Sequence, residues 1–353
     1  MRNRKTFALT TILVFLTLQI GTVQARRLKP EVWILGKPDW ARGPSKQPEQ
    51  VIPWGIERIR ASDAWQTSTG ILVQIAVLDT GVDKDHEDLN INIKWGISVV
   101  GDDESTKYRD WRDKNGHGTH VAGTIAAMYN DVGVVGVGYN ISIYAIRVLS
   151  NSGFGSWQDL ADGIWWAIKG PDGIIDIDGD GMVAGDPDDD AAEVISMSLG
   201  GTSYSAEVEA AIKAAYDAGI VLVAAAGNEG DDGVTYPAKY DLVIAVSAID
   251  KNDDIPSWSS KGPEVEFAAP GVSVLSTIPH DKYEEYSGTS MACPHVSGTI
   301  GLMISKILAE GRDYTVEGIR EILRATADDL APSGWDSASG YGVVRADKAV
   351  AEA

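Results

Sequence analysis

The chain has 353 residues, 44% of them hydrophobic, which is enough apolar material for one sizeable core. Its formal net charge of -21 disfavours binding to nucleic acid or to an anionic membrane surface and favours cations. A single cysteine, Cys293, excludes an internal disulfide and makes bound metal a candidate source of stability.

In chain order, Arg2, Arg4 and Lys5 precede an apolar run over residues 7–20, and Val23, Gln24 and Ala25 offer small residues for signal peptidase. The run is shorter than the ~18 to 20 apolar residues that span a bilayer, so residues 1–25 read as a cleaved export signal rather than an anchor. The protein is expected to be secreted, and cleavage removes basic residues only, leaving the mature chain more acidic still. Residues 26–52 are rich in proline and glycine (Pro30, Gly36, Pro38, Gly43, Pro44, Pro48) and read as an extended leader or short pro-segment without long helices or central strands. The remaining residues, 53–353, are expected to form one domain.

Within that domain, short β-branched runs alternate with helical patterns. Residues 73–78, 141–149, 194–197, 220–224 and 243–247 read as strands; 117–128, 156–168, 206–218, 290–308 and 316–325 read as helices. Such alternation predicts an α/β fold with a mainly parallel sheet covered by helices on both faces, and ligand chemistry at the carboxyl ends of the strands.

The first such end is "VLDTGVD" at residues 77–83, which has two incompatible readings. An acid protease needs two carboxylates sharing a proton, yet the chain holds only one Asp-Thr-Gly. A dimer with one Asp per subunit would be built from a far smaller chain. The other reading needs a histidine and a nucleophile elsewhere. "NGHGTHVAGT" at 115–124 opens a helix with His117 among small residues, and "GTSMACPHV" at 288–296 sets Ser290 at a helix start, where free N–H groups favour an anion. Pro294 is compatible with the first turn of that helix. His117 and His120 share a helix face, but no Glu stands between them as a zinc protease helix requires.

These three blocks, in the order Asp79, His117, Ser290, resemble the signature blocks of the subtilisin-like serine proteases, and that order is the one known for subtilisin. The resemblance spans about residues 50–351 and is similar in its acidic insertion to calcium-rich subtilases of thermophilic archaea. It implies a serine endopeptidase in which His117 serves Ser290 as base, Asp79 orients His117, and the Asn228 amide with the Ser290 N–H binds the oxyanion. It also implies that Ser198, Leu199 and Gly200 pair with an extended substrate, with Gly153 on the facing wall and Gly227, Glu229 and Thr235 around the pocket. His120 and His295 are expected to be structural, and Cys293 a buried helix residue.

Residues 172–190 hold eight Asp and no basic residue. Asp176, Asp178 and Asp180 followed by Gly181 reproduce the first half of a calcium loop, with Met182 and Asp186 as further ligands. Pro187 stands where the bidentate Glu is expected. Eight like charges repel unless neutralised, which favours calcium over a freely solvated loop. The resemblance implies a second calcium site: side-chain oxygens of Gln50, Asp88 and Asn130, and carbonyls of Met128, Val132 and Val134. Two or more calcium sites are therefore expected in a monomer that cleaves polypeptides. A calcium-binding pseudoprotease without turnover is the alternative, though such a protein would be expected to have lost part of the triad or Asn228. Relatives usually carry a folded pro-domain, for which the leader is too short.

Overall fold

The computed structural model describes residues 31–35, 49–100, 110–186 and 189–353, so the export signal and most of the leader lie outside the described residues. The first element departs from expectation. The proline-free stretch between Pro30 and Pro38 forms β1 (Val32–Ile34). It lies between β5 (Phe154–Gly155) and β7 (Leu199–Gly200), antiparallel to both. Three residues need no long proline-free run, so the proline density that excludes a long strand does not exclude this one.

The helices α1 (Trp54–Arg58) and α2 (Ala61–Ala64) lead into β2 (Gln74–Asp79). Next come β3 (Ile93–Ser98), α3 (His117–Ala126), β4 (Ser142–Arg147) and α4 (Trp157–Lys169). The chain continues through β6 (Val194–Met197), α5 (Ala206–Asp217), β8 (Val221–Ala225), β9 (Val243–Ile249) and β10 (Val265–Pro270). A hairpin of β11 (Val274–Ile278) and β12 (Lys282–Tyr286) precedes α6 (Thr289–Ala309), α7 (Val316–Thr326) and α8 (Ala346–Glu352).

Among the described residues, seven strands form one parallel sheet in the order β10-β9-β8-β6-β2-β4-β3. Strand side chains alternate between two cores. Ile75, Val77, Val194, Val223 and Val246 face α3, α6 and α8, whereas Ala76, Leu78, Ile195, Leu222 and Ala245 face α4 and α5. Both faces being covered explains why the strands read as continuous apolar runs. The chain leaves β2 first toward β4 and β3, then returns to its other side at β6. This reversal opens a crevice at the carboxyl end of β2, where Asp79 stands.

Two helices that frame the crevice have identifiable starts. For α4, the Ser156 hydroxyl accepts from the Asp159 N–H at 3.1 Å while the Asp159 carboxylate accepts from the Ser156 N–H at 3.0 Å, a reciprocal cap. Helix α6 is buried continuously from Thr289 to Ser305; it has no charged residue in that stretch, and buried Ser297 and Thr299 bond the carbonyls one turn before them, as a helix enclosed by protein requires. Its Pro294 lies beyond the first turn, a correction to the sequence expectation. The amide proton it lacks would have bonded the Ser290 carbonyl. The Ser198 hydroxyl donates to that carbonyl instead, at 2.8 Å, so the proline leaves no orphan acceptor.

Candidate active site

Asp79 ends β2 fully buried, its Oδ1 accepting the Thr80 N–H at 2.7 Å. His117 opens α3 directly after Gly116, whose φ of 104° suits glycine. The imidazole Nδ1 lies 2.8 and 2.9 Å from the two Asp79 oxygens, which holds the proton on Nδ1 and leaves Nε2 as the basic nitrogen. Gly118 makes this approach possible: a Cβ there would stand 2.1 Å from the Gly81 carbonyl oxygen and 3.1 Å from Asp79 Oδ1.

The sequence reading missed Asp113, which holds the histidine loop together. Its buried Oδ1 accepts from the Thr80 hydroxyl (2.9 Å) and from the Asn115 and Gly116 N–H groups (2.8 and 2.9 Å), and Oδ2 from the Thr119 N–H and hydroxyl (2.9 and 2.7 Å). Burial pushes its carboxyl above the usual range, against the pull of these donors. Asp113→Ala leaves several buried donors without a partner at about 1–3 kcal/mol each. The expected result in a thermal melt is a fall on the order of 10 °C, with reduced turnover at temperatures where the variant is still folded.

Ser290 lies in the first turn of α6, which packs against α3, and is fully buried. Its hydroxyl donates to the Ser198 carbonyl at 2.9 Å, and His117 Nε2 has no hydrogen-bond partner. The Ser290 N–H donates to the Leu35 carbonyl at 3.1 Å. Asn228 Oδ1 accepts from the N–H and the hydroxyl of Thr289, each at 3.0 Å, which fixes the amide with Nδ2 as its available end.

The walls of the crevice are β5 and β7. Leu199 and Gly200 pair with β1, and the Gly153 carbonyl accepts the Ile34 N–H at 3.1 Å. Ser198, next to these, lies outside the pairing with β1; it is buried and its hydroxyl braces α6. Gly200, Gly227 and Thr235 come together, since a Cβ on either glycine would meet Thr235 Oγ1 within 3.0 Å. Glu229 is exposed, with its N–H held by the Ser260 hydroxyl.

The expected calcium residues also assemble. Gln50 Nε2 lies 2.7, 3.1, 3.0 and 3.3 Å from the Met128 carbonyl, Asn130 Oδ1, the Val132 carbonyl and the Val134 carbonyl. Two amide protons cannot satisfy four acceptors, and Asp88 Oδ1 is buried beside them without a partner. Burial pushes the Asp88 carboxyl up to about 7. The Gln50 nitrogen, not the expected oxygen, faces this set, and Gln50 Oε1 accepts from the Asn130 and Asp131 N–H groups. In the acidic loop, carboxylate oxygens of Asp176, Asp178 and Asp180 lie within 4.8 Å of one another. Met182 contributes its N–H to Asp180 Oδ1 at 2.7 Å and is otherwise exposed, while burial first, and then the charges of Asp176, Asp186 and Asp178, raise the Asp189 carboxyl above its ordinary value. Asp189 was not anticipated: its Oδ1 accepts the Ile177 N–H at 2.8 Å and its Oδ2 is buried without a partner.

His120 is fully buried, stacked on Tyr286 at 4.4 Å, and bonded through Nε2 to the Val274 and Glu284 carbonyls; burial lowers its pKa to about 3. His295 is likewise buried, its Nδ1 bonded to the Met291 carbonyl at 2.8 Å. Burial pushes the Cys293 thiol up to about 11, which keeps it unreactive.

An Asp–His pair at the end of a parallel strand, with a serine at the head of a buried helix packed against the histidine's own, is the arrangement expected of a serine hydrolase. The subtilase family model matches residues 70–342, and the chain belongs to that family. Among its relatives, a thermostable alkaline protease of Halalkalibacterium halodurans is 40% identical over 94% of this chain and 83% of its own length. Subtilisin DY of Bacillus licheniformis is 42% identical over 80% and 94%, and subtilisin E of Bacillus subtilis 40% identical over 80% and 68%. The protein is a serine endopeptidase acting on polypeptides. These relatives are bacterial and lend no support to the expected likeness to archaeal enzymes.

Proposed function

We propose that Ser290 is the nucleophile, His117 its general base and then acid, Asp79 the orienting carboxylate, and the Ser290 N–H with Asn228 Nδ2 the oxyanion donors. On this reading the Ser290 hydroxyl leaves the Ser198 carbonyl for His117 Nε2 when substrate is present. The Ser290 oxygen attacks the substrate carbonyl as Nε2 takes its proton. Asp79 stabilises the resulting imidazolium, and the leaving amine takes the proton as the acyl-enzyme forms; water repeats the steps to release the acid. The observation that carries this reading is the buried, unpartnered Nε2 whose opposite nitrogen is held by Asp79, on a helix packed against the one that carries Ser290. Incubating the calcium-loaded protein with an unfolded polypeptide tests it: cleavage at interior bonds is expected, and binding without cleavage contradicts it.

We further propose two calcium sites, one held by Asp88, Asn130, Gln50 and the carbonyls of Met128, Val132 and Val134, the other by Asp176, Asp178, Asp180, Asp186 and Asp189. Apart from Gln50, whose amide must turn to present Oε1, both sets are hard oxygen donors with more acceptors than protein donors to satisfy them, as a calcium site requires. Bound calcium supplies positive charge that neutralises the carboxylates and ties distant segments together. An ion present at about a thousand times its Kd stabilises by about 4 kcal/mol. Removing calcium with a chelator is therefore expected to lower the melting temperature by about 10 °C. An unchanged melt contradicts structural calcium. Export through residues 1–25, and a monomer that binds neither nucleic acid nor membrane, complete the proposal; the acidic charge supports it.

A further inference from the structure

We propose that His120 is a positioning residue for the reaction: it fastens the β11–β12 hairpin to α3 and thereby sets Ser290 against His117. The inference rests on the catalytic roles proposed above and adds a residue that touches no reacting atom. Base and nucleophile stand on different helices, so their separation depends on what ties α3 to the chain that enters α6.

That chain is β12. Only Ser287, Gly288 and Thr289 separate Tyr286, the last residue of the strand, from Ser290. His120 lies about one helical turn beyond His117 and is fully buried. Its Nε2 is 3.0 Å from the Glu284 carbonyl on β12 and 3.0 Å from the Val274 carbonyl on β11. Both partners are acceptors, so the single proton of the neutral ring sits on Nε2 and is shared between the two strands. Burial, which lowers the pKa to about 3, keeps the ring neutral.

The ring also holds Tyr286 by its face, with centroids 4.4 Å apart and planes 5° apart. The tyrosine hydroxyl in turn abuts the turn that presents the base: a Cβ on Gly116, the residue before His117, would stand 3.3 Å from Tyr286 Oη. Bonds that the hairpin's own side chains make to α3 come from β11, where the Ser276 and Thr277 hydroxyls donate to the His120 and Thr119 carbonyls at 2.7 and 2.8 Å. They secure the strand that is further from Ser290 along the chain. The bond to β12, the strand that delivers the nucleophile, comes from His120.

The test compares calcium-loaded variants with wild type below their melting temperatures, by kinetics on a fluorogenic peptide and by the rate of Ser290 modification with a fluorophosphonate. His120→Leu keeps an apolar side chain of similar bulk and loses the donor. Its kcat is expected to fall on the order of a hundredfold, as for a displacement of about 1 Å, with KM within about twofold and the modification rate falling in parallel. His120→Gln supplies a donor of similar reach and is expected to recover roughly tenfold of that loss. Tyr286→Leu keeps both hydrogen bonds of His120 and loses the stack; it is expected to lower kcat about tenfold, and it carries the test should His120→Leu not fold. Thr277→Val loosens the hairpin on β11 and is expected to keep kcat within about twofold of wild type. A folded His120→Leu or Tyr286→Leu enzyme with wild-type kcat overturns the inference, as does a loss that Thr277→Val reproduces or that glutamine does not restore. Each of these results leaves the proposed function standing. Wild-type protein that neither hydrolyses the peptide nor is modified at Ser290 overturns the catalytic reading itself.

Discussion

Ser290→Ala is expected to lower kcat about a millionfold while moving the melting temperature by only a few degrees. The magnitude is one established on subtilisin, where loss of the serine costs nearly as much as loss of the whole triad. The separation of activity from stability comes from this structure. The Ser290 hydroxyl makes one hydrogen bond, to the Ser198 carbonyl at 2.9 Å, and loss of such a bond costs about 1 kcal/mol. The reciprocal bond from the Ser198 hydroxyl to the Ser290 carbonyl involves the main chain and survives the substitution, so Pro294 remains accommodated. Steady-state kinetics on a fluorogenic peptide together with a thermal melt of the same preparation read both quantities. A variant retaining a tenth of wild-type turnover contradicts the nucleophile assignment.

The second large effect is expected at Asn228, where two substitutions separate two roles. Asn228→Ala removes the Nδ2 donor and, with it, the Oδ1 acceptor for the Thr289 N–H and hydroxyl at the start of α6. Loss of an oxyanion donor costs about 2.7–4 kcal/mol of transition-state stabilisation, a range established on subtilisin, and so lowers kcat roughly a hundredfold to a thousandfold. Loss of the acceptor behaves as loss of a helix cap and costs about 1 kcal/mol of stability. Asn228→Asp keeps an acceptor for Thr289 but sets a carboxylate oxygen where the amide donor stood. Its expected signature is a melting temperature near wild type with kcat at least as low as in the alanine variant, and KM little changed in both. Near-normal kcat in the aspartate variant contradicts the oxyanion role.

How much of this was legible in the sequence depended on whether a residue acts locally. Asp79, His117 and Ser290 sit in short blocks whose small neighbours permit close approach, and the central strands are apolar on both faces, so site and sheet could be read from runs of residues. Strand β3 contains the exposed Lys94, β10 contains Glu266, and β12 carries Lys282, Glu284 and Glu285, so none shows the continuous apolar pattern of a central strand. Asp113 was invisible because its meaning lies in donors from Thr80, Asn115, Gly116 and Thr119, brought together only by the fold. The one local hint is its place two residues before Asn115. The bracing role of Ser198 was hidden for a related reason: its hydroxyl answers a gap created by Pro294, 96 positions along the chain by the sequence numbering. The leader strand escaped notice because three residues between prolines carry no periodicity; its partners define it.

The central claim is that His117, held by Asp79, activates the Ser290 oxygen toward an electrophile. Its most direct test is reaction of the calcium-loaded protein with a fluorophosphonate, followed by peptide mapping of the adduct. The account predicts stoichiometric modification confined to Ser290 and its loss in His117→Ala. Modification at another residue, or no modification of folded, calcium-loaded protein, contradicts it.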